Sequence, residues 1–252
     1  MSAFFKVRQK KTAPFLSMVI AAAGRSSRMG TDKLAETLAG VPVLARTLLA
    51  LECCDTVSEI ILVTRAESLS EVGGLCEEYG IRKAAKVLPG GDSRLLSVLT
   101  GVRQASRAAA LIGVHDGARP LVTPDLVRRT AEAAARFGAA VPAVPVTDTL
   151  RYAKNGVGSG TPDREGLFAV QTPQIFEASL LKAALERAFR ENRTVTDDAQ
   201  AVEALGVPIR LTEGAYENIK LTTPPDLLLA EAILRKRGEA GCGSAMDMMS
   251  TS

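Results

Sequence analysis

The sequence predicts an α/β domain: a mostly parallel β-sheet with helices on both faces. Three observations predict it. Short apolar runs alternate with segments of helical periodicity from residue 15 to residue 144. The motifs rich in glycine or charge fall just after strands, where open parallel sheets bind ligands. At 252 residues, 46% hydrophobic and 23% charged, the chain is large enough for one substantial core.

The elements follow in order. Residues 15–23 read as a buried strand. Residues 43–54 carry Leu44, Leu48 and Leu51 at helical spacing. A β-branched strand at 60–64 precedes a helix over 68–79, and 86–88 forms a third strand. Residues 92–110 predict a helix with Leu95, Leu96, Leu99 and Val102 on one face, and 110–115 a fourth strand. Thr123 and Pro124 open a helix over 124–137, and 139–144 is the fifth strand. At 146–173 the alternation breaks. Gly156, Gly158 and Gly160 lie in a stretch too long for an ordinary connection, which reads as an irregular arm or hairpin. Helices over 177–190 and 197–205, a strand at 208–212 and a helix over 225–236 complete one domain spanning 15–238. Residues 1–14 and 239–252 are expected to be flexible tails.

A net charge of +3 argues for neither nucleic acid nor a membrane surface as a partner, and no apolar run approaches the roughly 20 residues of a membrane span. Cys53, Cys54, Cys76 and Cys242 form no C-x-x-C pair, so they read as plain thiols in a reducing, cytoplasmic compartment. His115 is the single histidine, which excludes a histidine-rich metal site. Lys6, Arg8, Lys10 and Lys11 ahead of an apolar run and Ala21-Ala22-Ala23 mimic a secretory signal. Cleavage there would strip the following loop of its supporting strand.

That loop, Gly24-Arg25-Ser26-Ser27-Arg28-Met29-Gly30, fits neither the dinucleotide fingerprint G-x-G-x-x-G nor the Walker A pattern. What remains is a turn of backbone amides with Arg25, Arg28 and Lys33, suited to a polyphosphate. The alternative is a solvated basic loop. Tyr79–Lys83 and Tyr216–Lys220 both fit the Y-x-x-x-K of short-chain dehydrogenases. Gly80 interrupts the first and prolines follow the second, so both count as chance.

Five further segments come in order: His115-Asp116-Gly117-Ala118-Arg119-Pro120, Pro145-Val146-Thr147-Asp148-Thr149, Gln171-Thr172-Pro173-Gln174-Ile175-Phe176, Thr196-Asp197-Asp198-Ala199 and Glu217-Asn218-Ile219-Lys220-Leu221-Thr222. Together with the A-A-G-x-x-x-R-M loop they resemble the 2-C-methyl-D-erythritol 4-phosphate cytidylyltransferase family over about residues 16–235. The loop itself is shared more widely among nucleotidyltransferases. The chain departs from the family pattern at Ser26, in the short spacing to Lys33, at Asp32-Lys33-Leu34 and at Glu217, where the family has Asp.

The resemblance implies a Rossmann-like fold of the nucleotide-diphospho-sugar transferase type with a projecting β-arm, 147–172, exchanged across a homodimer. It implies in-line attack of the methylerythritol phosphate on the α-phosphorus of CTP. The products are 4-diphosphocytidyl-2-C-methyl-D-erythritol and pyrophosphate. Arg28, Lys33 and Lys220 would be catalytic. Ala22, Ala23, Gly24, Gly91, Asp92, Arg94, Ser97 and Asp116 would bind CTP. Asp116, Arg119, Thr149 and Arg164 would bind the acceptor, the last two from the partner subunit. Mg²⁺ or another divalent cation would be held mainly by the CTP phosphates, with Asp116 a further candidate ligand.

Several alternatives stay open. Gly90–Arg94 can be read as an ordinary turn capped by Asp92, Asp116 and Arg119 as a salt-bridged turn, and Thr196–Asp198 as a helix start. By strand alternation His115 faces away from Asp116 and reads as a satisfied core histidine. Rival functions are a cytidylyltransferase for ribitol 5-phosphate or molybdopterin, and a nucleotide-binding regulator without turnover.

Overall fold

A computed structural model describes residues 14–24 and 34–238. The elements are β1 Leu16–Ala21, β2 Thr37–Leu38, β3 Val41–Pro42, α1 Val43–Glu52, β4 Glu59–Thr64, α2 Leu69–Glu78, β5 Ala84–Pro89, α3 Arg94–Arg103, β6 Leu111–Asp116, α4 Pro124–Phe137 and β7 Ala139–Pro145. They continue with β8 Tyr152–Lys154, β9 Val157–Gly160, β10 Phe168–Val170, β11 Gln174–Glu177, α5 Ala178–Arg190, α6 Asp198–Glu203, β12 Arg210–Glu213 and α7 Pro224–Arg237.

The main sheet runs β10-β7-β11-β6-β1-β4-β5, with β12 also paired to β7. The pairs β1–β4, β1–β6, β4–β5 and β7–β12 are parallel, whereas β10 and β11 enter antiparallel. Strand alternation explains why both faces are covered. Leu16, Met18 and Ile20 of β1 and Ile60 and Leu62 of β4 face a core shared with α1, α2 and α4. Val19, Ile61 and Val63 face the opposite core, with residues of α3, α5 and α6. Gly101 lets α3 sit directly on β1 and β4, since a Cβ there would lie 2.5 Å from Val19 and 2.9 Å from Val63. A third cluster joins Leu38, Val43, Leu121 and Leu221 to Ala230, Ile233 and Leu234 of α7.

The strand–helix alternation stands, with corrections. Helix α3 starts at Arg94 and ends at Arg103, well inside 92–110. Ser93, not Asp92, is its cap, and the amide of Ser106 beyond its end bonds Glu59 at 2.7 Å instead of continuing the helix. Strands β10 and β11 lie within or just after the stretch read as irregular, and they return the chain to the sheet. The projecting part is the β8–β9 hairpin, closed by Asn155 and Gly156, both at positive φ. The small β2–β3 hairpin was not anticipated. Residues 16–21 of the signal-like run are a central strand of the sheet, hydrogen-bonded to β4 and β6. Apart from Pro14, the expected tails lie outside the described residues, as does Cys242.

Candidate active site

Four parallel strands end on one side of the sheet, and their ends wall a cavity of about 640 Å³. Residues 21–24 continue β1, 65–67 follow β4, 90–94 follow β5, and Asp116 closes β6; Lys220 enters from the loop before α7. Ligand sites in such sheets lie at this end.

Small residues make the floor. Ala22 is held to Val63 by a 2.8 Å backbone bond, and Gly90 to Thr64 by one of 2.7 Å. Ala23 and Ser97 crowd Gly90, because a Cβ on it would come within 2.6 Å of the Ala23 Cβ and 2.8 Å of the Ser97 hydroxyl oxygen. Ser97 is buried in the first turns of α3. Its hydroxyl accepts from the Gly91 amide at 3.1 Å and donates to the Ser93 carbonyl at 2.9 Å, so its first role is to shape the 90–93 turn.

Charge is concentrated around Asp116. Lys220 Nζ lies 2.9 Å from Asp116 Oδ2, and Arg119 Nε donates to the same oxygen at 3.4 Å. Burial pushes this carboxyl up, but Lys220 and then Arg119 outweigh it and hold the group at about 2, so it is ionised at neutral pH. Arg94 lies beside the same cavity with both guanidinium nitrogens on the buried Asp198, at 3.1 and 2.7 Å. Burial raises the Asp198 carboxyl, against the pull of Arg94.

The backbone beneath is fixed by a closed network. His115 Nε2 faces the Arg119 carbonyl at 3.2 Å, and a carbonyl can only accept, so Nε2 carries the proton. Nδ1 then accepts from the Thr172 hydroxyl at 2.9 Å, whose oxygen accepts the Asp116 amide at 3.1 Å. Burial pulls His115 down to about 4, against Asp116, so the imidazole is neutral and both nitrogens are committed. It is the satisfied core histidine expected. The Lys220 loop is tied in by Arg119 Nη1 donating to the Asn218 carbonyl at 2.7 Å and by Asn218 Nδ2 donating to the Thr172 carbonyl at 2.9 Å.

The structure therefore brings together Ala22, Ala23, Gly24, Gly91, Asp92, Arg94, Ser97, Asp116 and Lys220, with Arg119 adjoining through Asp116. Arg28 and Lys33 lie outside the described residues. Thr149 and Arg164 do not line this cavity; Thr149 is exposed, and Arg164 donates to the Thr147 carbonyl at 2.8 Å within the arm. Asp116–Arg119 is a salt-bridged turn, of which Asp116 and Ala118 also line the cavity. Asp197 caps α6 by accepting from the Gln200 amide at 2.9 Å, so the Thr196–Asp198 segment is a helix start whose second acid also anchors Arg94. Neither Y-x-x-x-K match is a helical pair: Gly80 has φ 65, and Tyr216–Lys220 is loop. Sequence reasoning missed Arg65 and Glu67, which line the cavity. Their signal was position alone, just beyond a parallel strand.

Comparison with known proteins points the same way. The family model for 2-C-methyl-D-erythritol 4-phosphate cytidylyltransferase matches residues 16–236. A relative of that name from Pelotomaculum thermopropionicum is 42% identical over 226 residues, covering 88% of this chain and 95% of its own. One from Halalkalibacterium halodurans is 43% identical over 223 residues, covering 88% and 97%. The crystal structure of the Thermus thermophilus cytidylyltransferase superimposes with a TM-score of 0.74 at 38% identity, covering 86% and 98%. With the match running through the whole folded part, from β1 to the last turn of α7, the chain belongs to the 2-C-methyl-D-erythritol 4-phosphate cytidylyltransferase family.

Proposed function

We propose that the cavity at the strand ends is where CTP and 2-C-methyl-D-erythritol 4-phosphate meet. The family's activity is cytidylyl transfer, giving 4-diphosphocytidyl-2-C-methyl-D-erythritol and pyrophosphate, and relatives so named favour it over ribitol 5-phosphate or molybdopterin as acceptor. The observation that carries the assignment of the site is the Asp116–Lys220 pair, 2.9 Å apart, facing a floor of small residues.

The acceptor phosphate is already an anion at neutral pH and needs no strong base. The demand is for alignment and for positive charge around a crowded phosphorus. Lys220 supplies that charge, oriented by Asp116, and Arg28 and Lys33 add to it from the first loop. Ala22, Ala23, Gly24, Gly91, Asp92 and Ser97 accommodate the nucleoside, with Arg94 at the rim. Arg119, ion-paired to Asp116, takes the acceptor side of the same site.

Among the described residues no cluster of three or more His, Cys, Asp or Glu could cage a metal. The donor set, with Asp116 as carboxylate, fits Mg²⁺ that arrives mainly on triphosphate oxygens. Such an ion would neutralise phosphate charge when bound.

The arm carries exposed Leu150, Tyr152, Val157 and Phe168, an apolar surface that a second copy of the chain would cover. Thr149 and Arg164 then act in the partner's site. No described helix is long and apolar enough to cross a membrane, and we place the enzyme in the cytoplasm, where free thiols persist.

Pyrophosphate release with CTP tests the assignment. Methylerythritol phosphate should support it and ribitol 5-phosphate should not; the reverse preference overturns the acceptor. Mixing Arg164→Ala with Lys220→Ala chains should regenerate activity in heterodimers, and its absence in verified heterodimers overturns arm exchange.

A further inference from the structure

We infer that Arg237, in the last turn of α7, is a positioning residue that sets Lys220 against Asp116. The inference deepens the proposed site and rests on Lys220 acting there. Lys220 and Asp116 sit on separate loops. Asp226 in the first turn of α7 accepts the Thr222 and Thr223 amides at 2.7 and 2.8 Å, which ties down the Lys220 loop alone. Three hydrogen-bonded links join the two loops directly or through α7. Two are direct: the Leu221 amide donates to the Ala118 carbonyl at 2.9 Å, and Arg119 to the Asn218 carbonyl at 2.7 Å.

The third link is Arg237, which reaches both loops at once. Its Nη1 donates to the Leu121 carbonyl at 3.2 Å, just beyond the Asp116–Pro120 turn. Its Nε and Nη2 donate to Glu217 Oε2 at 3.1 and 2.9 Å, three residues before Lys220. Lys236 takes the other Glu217 oxygen at 2.9 Å, but its side chain is 77% exposed, against 16% for Arg237, so the planar guanidinium is the geometric constraint. The same helix packs Ala230, Ile233 and Leu234 on Leu121 and Leu221, one from each loop. Apolar packing holds the loop bases to α7, and the fork of Arg237 fixes the remaining slide between them. A point charge on a flexible stem cannot bond both acceptors in fixed directions.

The pair is partly exposed, so its loss should affect geometry more than stability. Six chains are compared with wild type: Arg237→Gln, Arg237→Lys, Glu217→Gln, the double variant Arg237→Gln with Glu217→Gln, Lys220→Ala, and Arg237→Gln added to Lys220→Ala. Steady-state cytidylyl transfer and thermal unfolding are measured on each. A displacement on the ångström scale costs up to ~100-fold, so Arg237→Gln should lower kcat by about 10-fold or more, with KM for CTP within about 2-fold. The double variant should be no worse than the worse single. On the Lys220→Ala background the substitution should change nothing further. Arg237→Lys, which keeps charge and loses the fork, should fall with Arg237→Gln.

Wild-type kcat in Arg237→Gln overturns the inference, as does an equal further loss on the Lys220→Ala background. A lowered unfolding temperature with unchanged kcat assigns Arg237 to stability alone and also overturns it. A fully active Lys220→Ala chain overturns the site assignment itself, and is distinguishable because it appears with Arg237 intact.

Discussion

Replacing Asp198 with Asn tests the charge architecture most directly. The Asp198 side chain is 1% exposed and bonds both guanidinium nitrogens of Arg94 at 3.1 and 2.7 Å. Removing one member of a fully buried pair costs about 3–5 kcal/mol. Arg94 is 33% exposed and can turn part of its charge to water, which lowers the expected loss to about 2–3 kcal/mol. The helix start is untouched, because the backbone amides of Asp198 and Ala199 donate to Gln174 Oε1 and not to the Asp198 carboxylate. The loss should appear as a lower denaturant midpoint at unchanged m value, and as about 5–10 °C in Tm. The double substitution Arg94→Met with Asp198→Leu removes both charges and should recover most of the stability, since apolar replacement of a buried pair is often neutral. That recovered fold should still bind CTP about 10-fold more weakly, the worth of one charged hydrogen bond at the cavity rim. Stability of Asp198→Asn within about 0.5 kcal/mol of wild type, or a double variant as unstable as the single, would refute the reasoning.

Other predictions follow from the same geometry. Lys220→Ala should lower kcat by about 100-fold or more with a smaller effect on CTP binding, as for a donor aimed at developing charge; pyrophosphate release at saturating CTP reads it. Gly90→Ala forces a Cβ to within 2.6 Å of Ala23, which is anchored to backbone and cannot give. It should cost about 1–3 kcal/mol, seen as a raised KM for CTP as the turn shifts outward. As pH falls, the unfolded chain protonates histidine near 6.5, while His115 in the folded chain stays neutral to about 4. Its contribution is therefore complete above pH 6.5 and fades by about 3 kcal/mol on the way down to 4. His115→Gln keeps a donor for the Arg119 carbonyl and should lack this decline in denaturant midpoint; parallel curves for the two proteins would contradict it. Asp116, lowered from 3.8 to about 2, adds a second loss only below pH 4.

The sheet was legible where a strand's own residues carry the message. Leu16–Ala21 and Glu59–Thr64 are apolar on both alternations, and both of their faces are covered. Helix α4 announced itself through Thr123 and Pro124. The C-terminal end of α3 could not be read, because Glu59 sets it from 47 residues away. Strands β10 and β11 span three and four residues, and buried Gln174 in β11 bonds Asp197 rather than showing an apolar period. The Asn155-Gly156 turn carries a hairpin signal, but the glycine-rich stretch around it hides that signal. Of the site, the floor residues follow from their place after strands. Lys220 does not: no periodicity marks it, only the resemblance of its segment to a family assigned it to the site, and its pairing with Asp116 emerged from the fold.

The arrangement also explains how a chain with a single histidine can carry out phosphoryl chemistry. His115 has no lone pair left for a substrate, since Thr172 fills Nδ1 and Nε2–H is spent on the Arg119 carbonyl. It holds backbone in place. Asp116 is equally unsuited to taking a proton, being kept ionised near 2 by Lys220 and Arg119. A weak base buried beside two cations is a device for aiming those cations. In the proposed site, Lys220 shares its donors between Asp116 and the oxygens of an entering triphosphate without leaving the cavity wall, so little reorganisation is needed as charge builds on the phosphorus. On this argument Asp116→Asn should damage the reaction by freeing Lys220. Its kcat against pH should be lower but of unchanged shape; loss of an acid limb on substitution would instead make Asp116 a proton acceptor.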